Sequence, residues 1–292
     1  MTVRGTDARN WLQGQVSQDL AALTVGQSAE TLVLSPQGKV DVYCRATMLG
    51  DEVVLLDTET GYGQALSERL RRFHLRVKAD LEIGVVRCLE LRGPASATAI
   101  HSSELEPEKL VASVSNATLR DRWVVAVAVE WPGYHGFDVL TTAEGPDWPL
   151  SGVAMGDPAA FETARIEAGV PAMGRELTDK TIPQEAGRLV EHTVSFTKGC
   201  YTGQELVARL DARGGNVAWR LRGVVLDPAC GPSEDSTLSI SGREVGHLTS
   251  TAWSPRFVAP VGLAYVRRDV TAPAGAVVIP GGCRAEIREL PL

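Results

Sequence analysis

Apolar residues recur along this chain with two periods, and the balance between them shifts from the N-terminus to the C-terminus. Thr6-Asp7-Ala8-Arg9 predicts the start of a helix carrying Trp11 and Leu12 and weakening at Gly14. Ser17 is placed to cap a second short helix holding Leu20 and Leu23, with Gly26 just past its end. The β-rich runs Thr31–Ser35 and Val40–Cys44 flank Pro36-Gln37-Gly38-Lys39, which predicts a hairpin. Val53–Asp57 predicts a third strand after the turn at Gly50-Asp51. A helix over about Gln64 to Phe73 follows, with Leu66, Leu70 and Phe73 on one face.

In the middle third, Val85–Leu91 predicts a strand ending at the turn Gly93-Pro94, and Trp123–Val129 predicts a second, well-buried strand. Past Pro146, Pro149 and Gly152 comes a well-marked helix. Asp157 suits the N-cap, Pro158 the first helical position and Gly169 the end, with Phe161, Ala164 and Ala168 as its buried stripe. From about Ala218 the helical period disappears. Leu221–Leu226, Thr237–Ile240, Glu244–Thr251, Val258–Val266, Ala276–Ile279 and Ala285–Leu290 read as short strands separated by Gly and Pro turns. Strands of this kind without helices predict a small barrel, which leaves no exposed sheet edge.

Composition narrows the function classes. Of 292 residues, 44 % are hydrophobic and 22 % charged, an ordinary globular balance. Lys and Arg number 29 against 36 Asp and Glu, a net charge of −7, so no broad nucleic-acid surface is expected, though a local basic patch is compatible with that total. Nothing approaches the roughly eighteen uninterrupted apolar residues of a membrane helix, and the first residues lack a signal-peptide core. The five cysteines (Cys44, Cys88, Cys200, Cys230, Cys283) are scattered with no Cys-x-x-Cys pair. That argues against a disulfide framework and for a reducing, cytoplasmic setting. The histidines lack metal-ligand spacing, so no metal is expected. Gly61-Tyr-Gly63 carries only the first two glycines of a dinucleotide fingerprint, with no βαβ unit after it.

The chemistry concentrates in Ser195–Arg209. Thr202 and Glu205 have capping-box spacing, which predicts a helix from Gly203, with Glu205 paired to Arg209 and a stop at Gly214-Gly215. Cys200 then lies just before a helix N-terminus, with Lys198 as a nearby cation. A helix terminus and a cationic neighbour can lower a thiol pKa from roughly 8.5 to about 3.5–7.5. The alternative from the residues alone is a tight turn shaped by Gly199 and Gly203, with Cys200 filling a small apolar hole.

Lys198-Gly-Cys-Tyr-x-Gly-Gln-Glu-x-x-Ala-Arg209 resembles the signature of the YgfZ family. These are folate-binding proteins implicated in making or repairing iron–sulfur proteins, and they share a fold with the aminomethyltransferase (T-protein) of the glycine cleavage system. The resemblance runs through Gly5-x-Asp7-Ala8-x-x-Trp11-Leu12-Gln13, Ser35-Pro-Gln-Gly-Lys39, Arg165-x-Glu167-Ala-Gly-x-Pro171-x-x-Gly174, Ile182–Ala186 and Gly246-x-x-Thr249-Ser250-x-x-x-Ser254-Pro255. The chain begins almost at the first of these motifs, so an upstream strand is expected to be missing or the start to be placed late.

The resemblance implies an α+β, three-lobed aminomethyltransferase-like ring around a tetrahydrofolate. Two α+β lobes, residues 1–90 and 91–216, are interleaved in sequence, and residues 217–292 form a C-terminal antiparallel β-barrel. It implies that Cys200 and Lys198 carry the chemistry and that Glu167, Asp41, Tyr201, Gln204 and Arg209 bind the folate. Glu167 would be the carboxylate that reads the pterin through two parallel hydrogen bonds. Read from its position alone, it is a helix-end charge in solvent. Asp41 is followed by Val42, not by a second acid. Gly133-Tyr-His-Gly-Phe-Asp138 stands where an aminomethyltransferase has Gly-Tyr-Thr-Gly-Glu, and His135 and Asp138 read as turn residues.

The leading expectation is a tetrahydrofolate-binding protein that supports iron–sulfur client or assembly proteins. Its thiolate could attack an electrophilic one-carbon unit, exchange with a disulfide, or hold iron or sulfur. The alternatives are a true aminomethyltransferase, which Val42 and Phe137 disfavour, and a non-catalytic folate-binding module in which Cys200 only packs.

Overall fold

The computed structural model of the protein describes residues 1–102, 124–142, 153–231, 236–279 and 281–292. Trp123 and the turn residues Pro146, Pro149 and Gly152 lie outside them. The chain forms two compact units. The first holds Met1–Glu130, Tyr134–Ala154 and Glu191–Glu205; the second holds Trp131–Gly133, Met155–Val190 and Leu206–Leu292.

The first unit is built on a five-stranded antiparallel sheet of β1 (Thr2–Arg4), β2 (Ser28–Leu34), β3 (Val40–Gly50), β4 (Val53–Asp57) and β5 (Asp80–Glu82), in the order β2-β3-β4-β1-β5. The predicted hairpin is β2–β3. It turns at Gly38, whose φ of +77° is easily reached without a Cβ. Along β3, Val40, Val42, Cys44 and Ala46 face inward while Asp41, Tyr43 and Arg45 alternate with them. The continuous apolar run of β4 also has a reason. Val54 and Leu56 pack under helices α1 (Ala8–Gln13) and α2 (Gly63–Arg71). Val53 and Leu55 meet Val125, Val127 and Leu140 of a second, three-stranded sheet. A strand covered on both faces has no polar positions to alternate. That second sheet has the order β6-β8-β7, with β6 at Val86–Arg92, β7 at Val124–Trp131 and β8 at Tyr134–Thr142. A helix, α3 (Ser96–Ser102), follows β6.

Several local expectations are corrected here. Ser17 caps no helix: its hydroxyl accepts from Leu32 N and donates to Thr193 O at 2.6 Å. Asp19 instead caps a single 3-10 turn, Leu20–Ala22. Phe73 lies beyond the end of α2 and is exposed, because the helix closes at Arg72. His135 and Asp138 lie within β8, not in a turn.

The second unit pairs one long helix with the barrel. Helix α4 (Pro158–Ala168) starts as its sequence predicts: Asp157 Oδ1 accepts from Ala160 N at 2.7 Å, and Pro158 opens the first turn. It ends at Gly169 in the left-handed conformation, where a Cβ would come within 3.0 Å of the Leu290 side chain. Ala164 and Ala168 are buried as expected, together with Ile166. The barrel closes in the order β10-β11-β12-β9-β14-β13. Its strands are β9 (Trp219–Leu226), β10 (Thr237–Ile240), β11 (Arg243–Ser254), β12 (Ala259–Arg267), β13 (Ala274–Ile279) and β14 (Cys283–Arg288). Val224, Leu238, Leu248, Val266, Val278 and Ile287 fill it, each worth roughly 1.5–3 kcal/mol when fully buried.

The cysteine reading is corrected in the barrel as well. Cys230 and Cys283 form a disulfide, with Cα atoms 5.7 Å apart and a separation of 53 positions in sequence. The scattered spacing concealed this, because closure of the barrel brings the end of the β9 connection beside the start of β14.

Candidate functional site

The signature loop belongs to the first unit. Lys198 enters it and turns inward, and its ammonium donates to the carbonyls of Gln13, Val16 and Gln18 at 2.7–2.8 Å. Those carbonyls lie at and beyond the end of α1, where helical carbonyls lack partners. Burial pushes the ammonium down to about 8. All three of its donors serve the main chain. Lys198 thus fastens the loop, in place of the free cation beside the thiol that its sequence position suggested. The ammonium also sits 5.2 Å from the centre of the Tyr201 ring, and burial raises the Tyr201 phenol to about 12.

Cys200 lies two residues beyond Lys198 and is exposed, unlike the buried Cys44. The alternative in which it fills an apolar hole is therefore set aside. The helix beyond it, α6 (Gln204–Asp211), begins one residue later than expected; the short α5 (Leu189–Thr193) precedes the loop. The Thr202–Glu205 capping box gives way to other bonds. Thr202 N donates to Gly14 O, and Tyr201 N donates to Gln204 Oε1 at 3.1 Å. The cause is Gly203, which at φ +83° presses against the β2–β3 hairpin. A Cβ there would lie 2.4 Å from Ser35 O and 2.7 Å from Leu34 Cβ. Gln204 thus braces the loop, while Glu205 and Arg209 are exposed on α6.

Asp41 stands on the same hairpin. Its Oδ2 takes Arg69 Nε at 2.8 Å, and Arg69 Nη2 donates to Leu34 O. In this structure its carboxylate holds the hairpin to α2.

Glu167 belongs to the second unit, near the end of α4. It is only 2 % exposed, which corrects the reading of a solvated helix-end charge. Ser254 Oγ donates to its Oε1 at 2.6 Å, and Arg256 approaches Oε2 at 3.7 Å. Two residues earlier, Arg165 pairs with the fully buried Glu176 at 3.1 Å and with Glu162 at 2.9 Å. Ser250 joins Arg165 to Glu176. The motif serines Ser250 and Ser254 are thus carboxylate partners, a role their spacing alone did not disclose.

A further polar cluster went unread in the sequence. Arg45 of β3 pairs with Asp57 of β4 at 2.9 Å and with Asp138 of β8 at 2.8 Å; Arg92 of β6 pairs with Asp138 at 2.8 Å and with Glu90 at 3.6 Å. Burial and the nearby Asp138 raise Glu90 to about 7. The available signal was strand alternation, which puts Glu90 and Arg92 on one face of β6 and Arg45 on the outward face of β3. Among the described residues, no group of three or more His, Cys, Asp and Glu side chains could hold a metal ion, and no helix is long and apolar enough to cross a membrane.

Comparison with known proteins bears on this geometry. Residues 220–292 match the glycine cleavage T-protein C-terminal barrel domain. A putative chloroplastic transferase of Arabidopsis thaliana is 27 % identical over 302 residues, covering 99 % of this chain and 68 % of that protein. A tRNA-modifying protein YgfZ of Vibrio vulnificus is 27 % identical over 252 residues, covering 84 % and 72 % of the two chains. A Yersinia pestis protein of the same name is 28 % identical over 266 residues, covering 86 % and 76 %. The crystal structure of aminomethyltransferase T from the Bartonella henselae glycine cleavage system superposes with a TM-score of 0.78 at 20 % identity. That match covers 99 % of this chain and 82 % of the other. Sequence and fold together make this chain a relative of the YgfZ proteins, built on the α+β fold of the aminomethyltransferases with its closed C-terminal barrel.

Proposed function

We propose that the protein binds a reduced folate and supports the assembly or repair of iron–sulfur proteins, with Cys200 as its reactive group. The observation that carries this reading is an exposed thiol on a loop fastened to the body of its unit by Lys198, in a chain with the aminomethyltransferase fold. Fixing a nucleophile in one position, with no rearrangement at the moment of reaction, is what orientation contributes to catalysis.

The folate's partners in this reading are assigned by the chemistry of the individual side chains. Glu167 is a buried carboxylate whose acceptor pair matches the 2-amino and ring N–H donors of a pterin. The Tyr201 phenol keeps its proton at neutral pH and can donate. Exposed Arg209 suits the carboxylates of a folate glutamate tail. Asp41 and Gln204 act behind these groups, holding the hairpin and the loop. When bound, the folate would supply a one-carbon unit. The chain's own part is to orient it and to present the Cys200 sulfur, whose chemistry covers attack on an electrophilic carbon, disulfide exchange and iron ligation.

Titration with 5-formyltetrahydrofolate, followed by tryptophan fluorescence, tests the reading. Saturable binding is expected, weakened at least tenfold in Glu167→Gln, since a hydrogen bond to a charged group contributes about 1.5–3 kcal/mol. Ligand should also change the alkylation rate of Cys200, which would tie the two groups together. Absence of binding by a folded protein would overturn the proposal. Full cellular function in Cys200→Ser would leave a folate-binding module, and turnover of an aminomethylated carrier would make the protein a transferase.

A further inference from the structure

The segment leaving α2 has a composition unlike the rest of the chain. Residues 69–78 carry Arg69, Arg71, Arg72, Arg76 and Lys78 without one acid, in a protein whose net charge is −7. Arg69 is buried and pairs with Asp41. The other four are exposed. Arg71 bonds only to neutral oxygens, Ser67 Oγ at 3.0 Å and Leu81 O at 3.4 Å. Among the described residues, none of these four cations has a carboxylate within 4.0 Å. The acids beside them are engaged elsewhere: Asp7 Oδ2 accepts from Lys78 N, and Glu68 accepts from Gln64. Asp80 and Glu82, also exposed, limit the patch on the β5 side.

Large apolar side chains are interleaved with these charges. Phe73 is 43 % exposed and Leu75 is 81 % exposed. The backbone beneath them is fixed. Trp11 Nε1 donates to Phe73 O at 3.1 Å, His74 Nε2 lies 2.7 Å from Ala79 O, and the Trp11 and His74 rings meet edge-on at 5.1 Å. The Arg69 guanidinium lies 4.7 Å from the centre of the Phe73 ring. Arg76 holds a φ of +56°, in the left-handed region.

We infer that Arg71, Arg72, Arg76 and Lys78, interleaved with Phe73 and Leu75, form a docking surface for a single-stranded segment of nucleic acid. The chemistry matches on two counts. Guanidinium forks bind phosphate oxygens bidentately and stack on bases, and three of the four cations are arginine. An exposed aromatic among cations is the platform on which an unstacked base lies. The acidic remainder of the molecule selects the shape of the partner. A flat anionic membrane would be brought against the surrounding acidic surface, within the roughly 8 Å over which charges act at physiological salt. A flexible strand can touch the patch alone. The inference rests on these residues alone and does not depend on folate binding.

Fluorescence anisotropy of a labelled 12-nucleotide RNA with the full chain, from about 50 to 200 mM salt, tests it. Four phosphate contacts predict a log–log slope near −3, taking about −0.7 per contact for single strands. The double variant Arg72→Ala, Arg76→Asn removes two cations, with Asn chosen because it tolerates the left-handed conformation. It should bring the slope to about −1.5 and weaken binding at least tenfold at low salt. Phe73→Ala should weaken binding about tenfold with the slope unchanged, as loss of base stacking requires. Arg220→Ala, an exposed cation of the barrel, should change neither. Circular dichroism of each variant controls for folding. No binding at 50 mM salt, or a slope unaltered in the double variant, would overturn the inference. So would tighter binding to phosphatidylglycerol vesicles than to the RNA.

Discussion

Lys198 shows how a residue with a plausible chemical role can be occupied by a structural one. A side chain two residues from a cysteine invites an electrostatic reading, yet its three protons are committed to three carbonyls. Lys198→Met should leave those carbonyls without donors and lower stability by about 2–3 kcal/mol, read as a shift in the urea midpoint with an unchanged slope. It should also loosen the loop and scatter the Cys200 alkylation kinetics. Glu90 gives a pH prediction. Burial and Asp138 raise its folded pKa to about 7 from an ordinary 4.5, against the opposing pull of Arg92 and Arg45. The native state therefore holds more protons than the unfolded chain between those values, and stability falls as pH rises through that window. Glu90→Gln should accordingly raise the melting temperature at pH 8 and leave it unchanged near pH 4.5. Melting curves at the two pH values distinguish this from a uniform effect.

At the scale of elements, the signature loop and the β2–β3 hairpin form one construction. Gly203 permits the contact twice over, by a left-handed φ and by the missing Cβ against Ser35 O. Gly203→Ala should push the loop off the hairpin, destabilise the first unit by about 2 kcal/mol or more, and alter Cys200 accessibility, checked by urea unfolding and thiol titration. The hairpin, the ends of α4 and the barrel strands were legible in the sequence, because each depends on local period and local punctuation. Asp157, Pro158 and Gly169 carry their instructions within a few residues of where they act. The start of α6 was misread for the opposite reason. Thr202 and Glu205 have capping-box spacing, but the backbone at Thr202 is claimed by Gly14, far away in sequence.

For the whole molecule, the disulfide and the carboxylate clusters mark what distance in sequence conceals. Closing a loop of about fifty residues contributes about 4 kcal/mol in the chain-entropy model. Reduction, or Cys283→Ser, should therefore lower the unfolding free energy of the barrel by about 2–4 kcal/mol, measured by urea unfolding with and without dithiothreitol. No spacing rule would have paired Cys230 with Cys283, or joined Arg45 to Asp138. The sequence by itself determined the β2–β3 hairpin, helix α4, the barrel strands and the short signature around Cys200, because periodicity, caps and turn residues act over a few positions. Only the tertiary structure decided that Glu167 is buried against Ser254, that Lys198 is a fastener, and which charges neutralise one another. Those outcomes depend on which distant groups arrive at the same place and exclude water there, and the local pattern of a chain does not encode that.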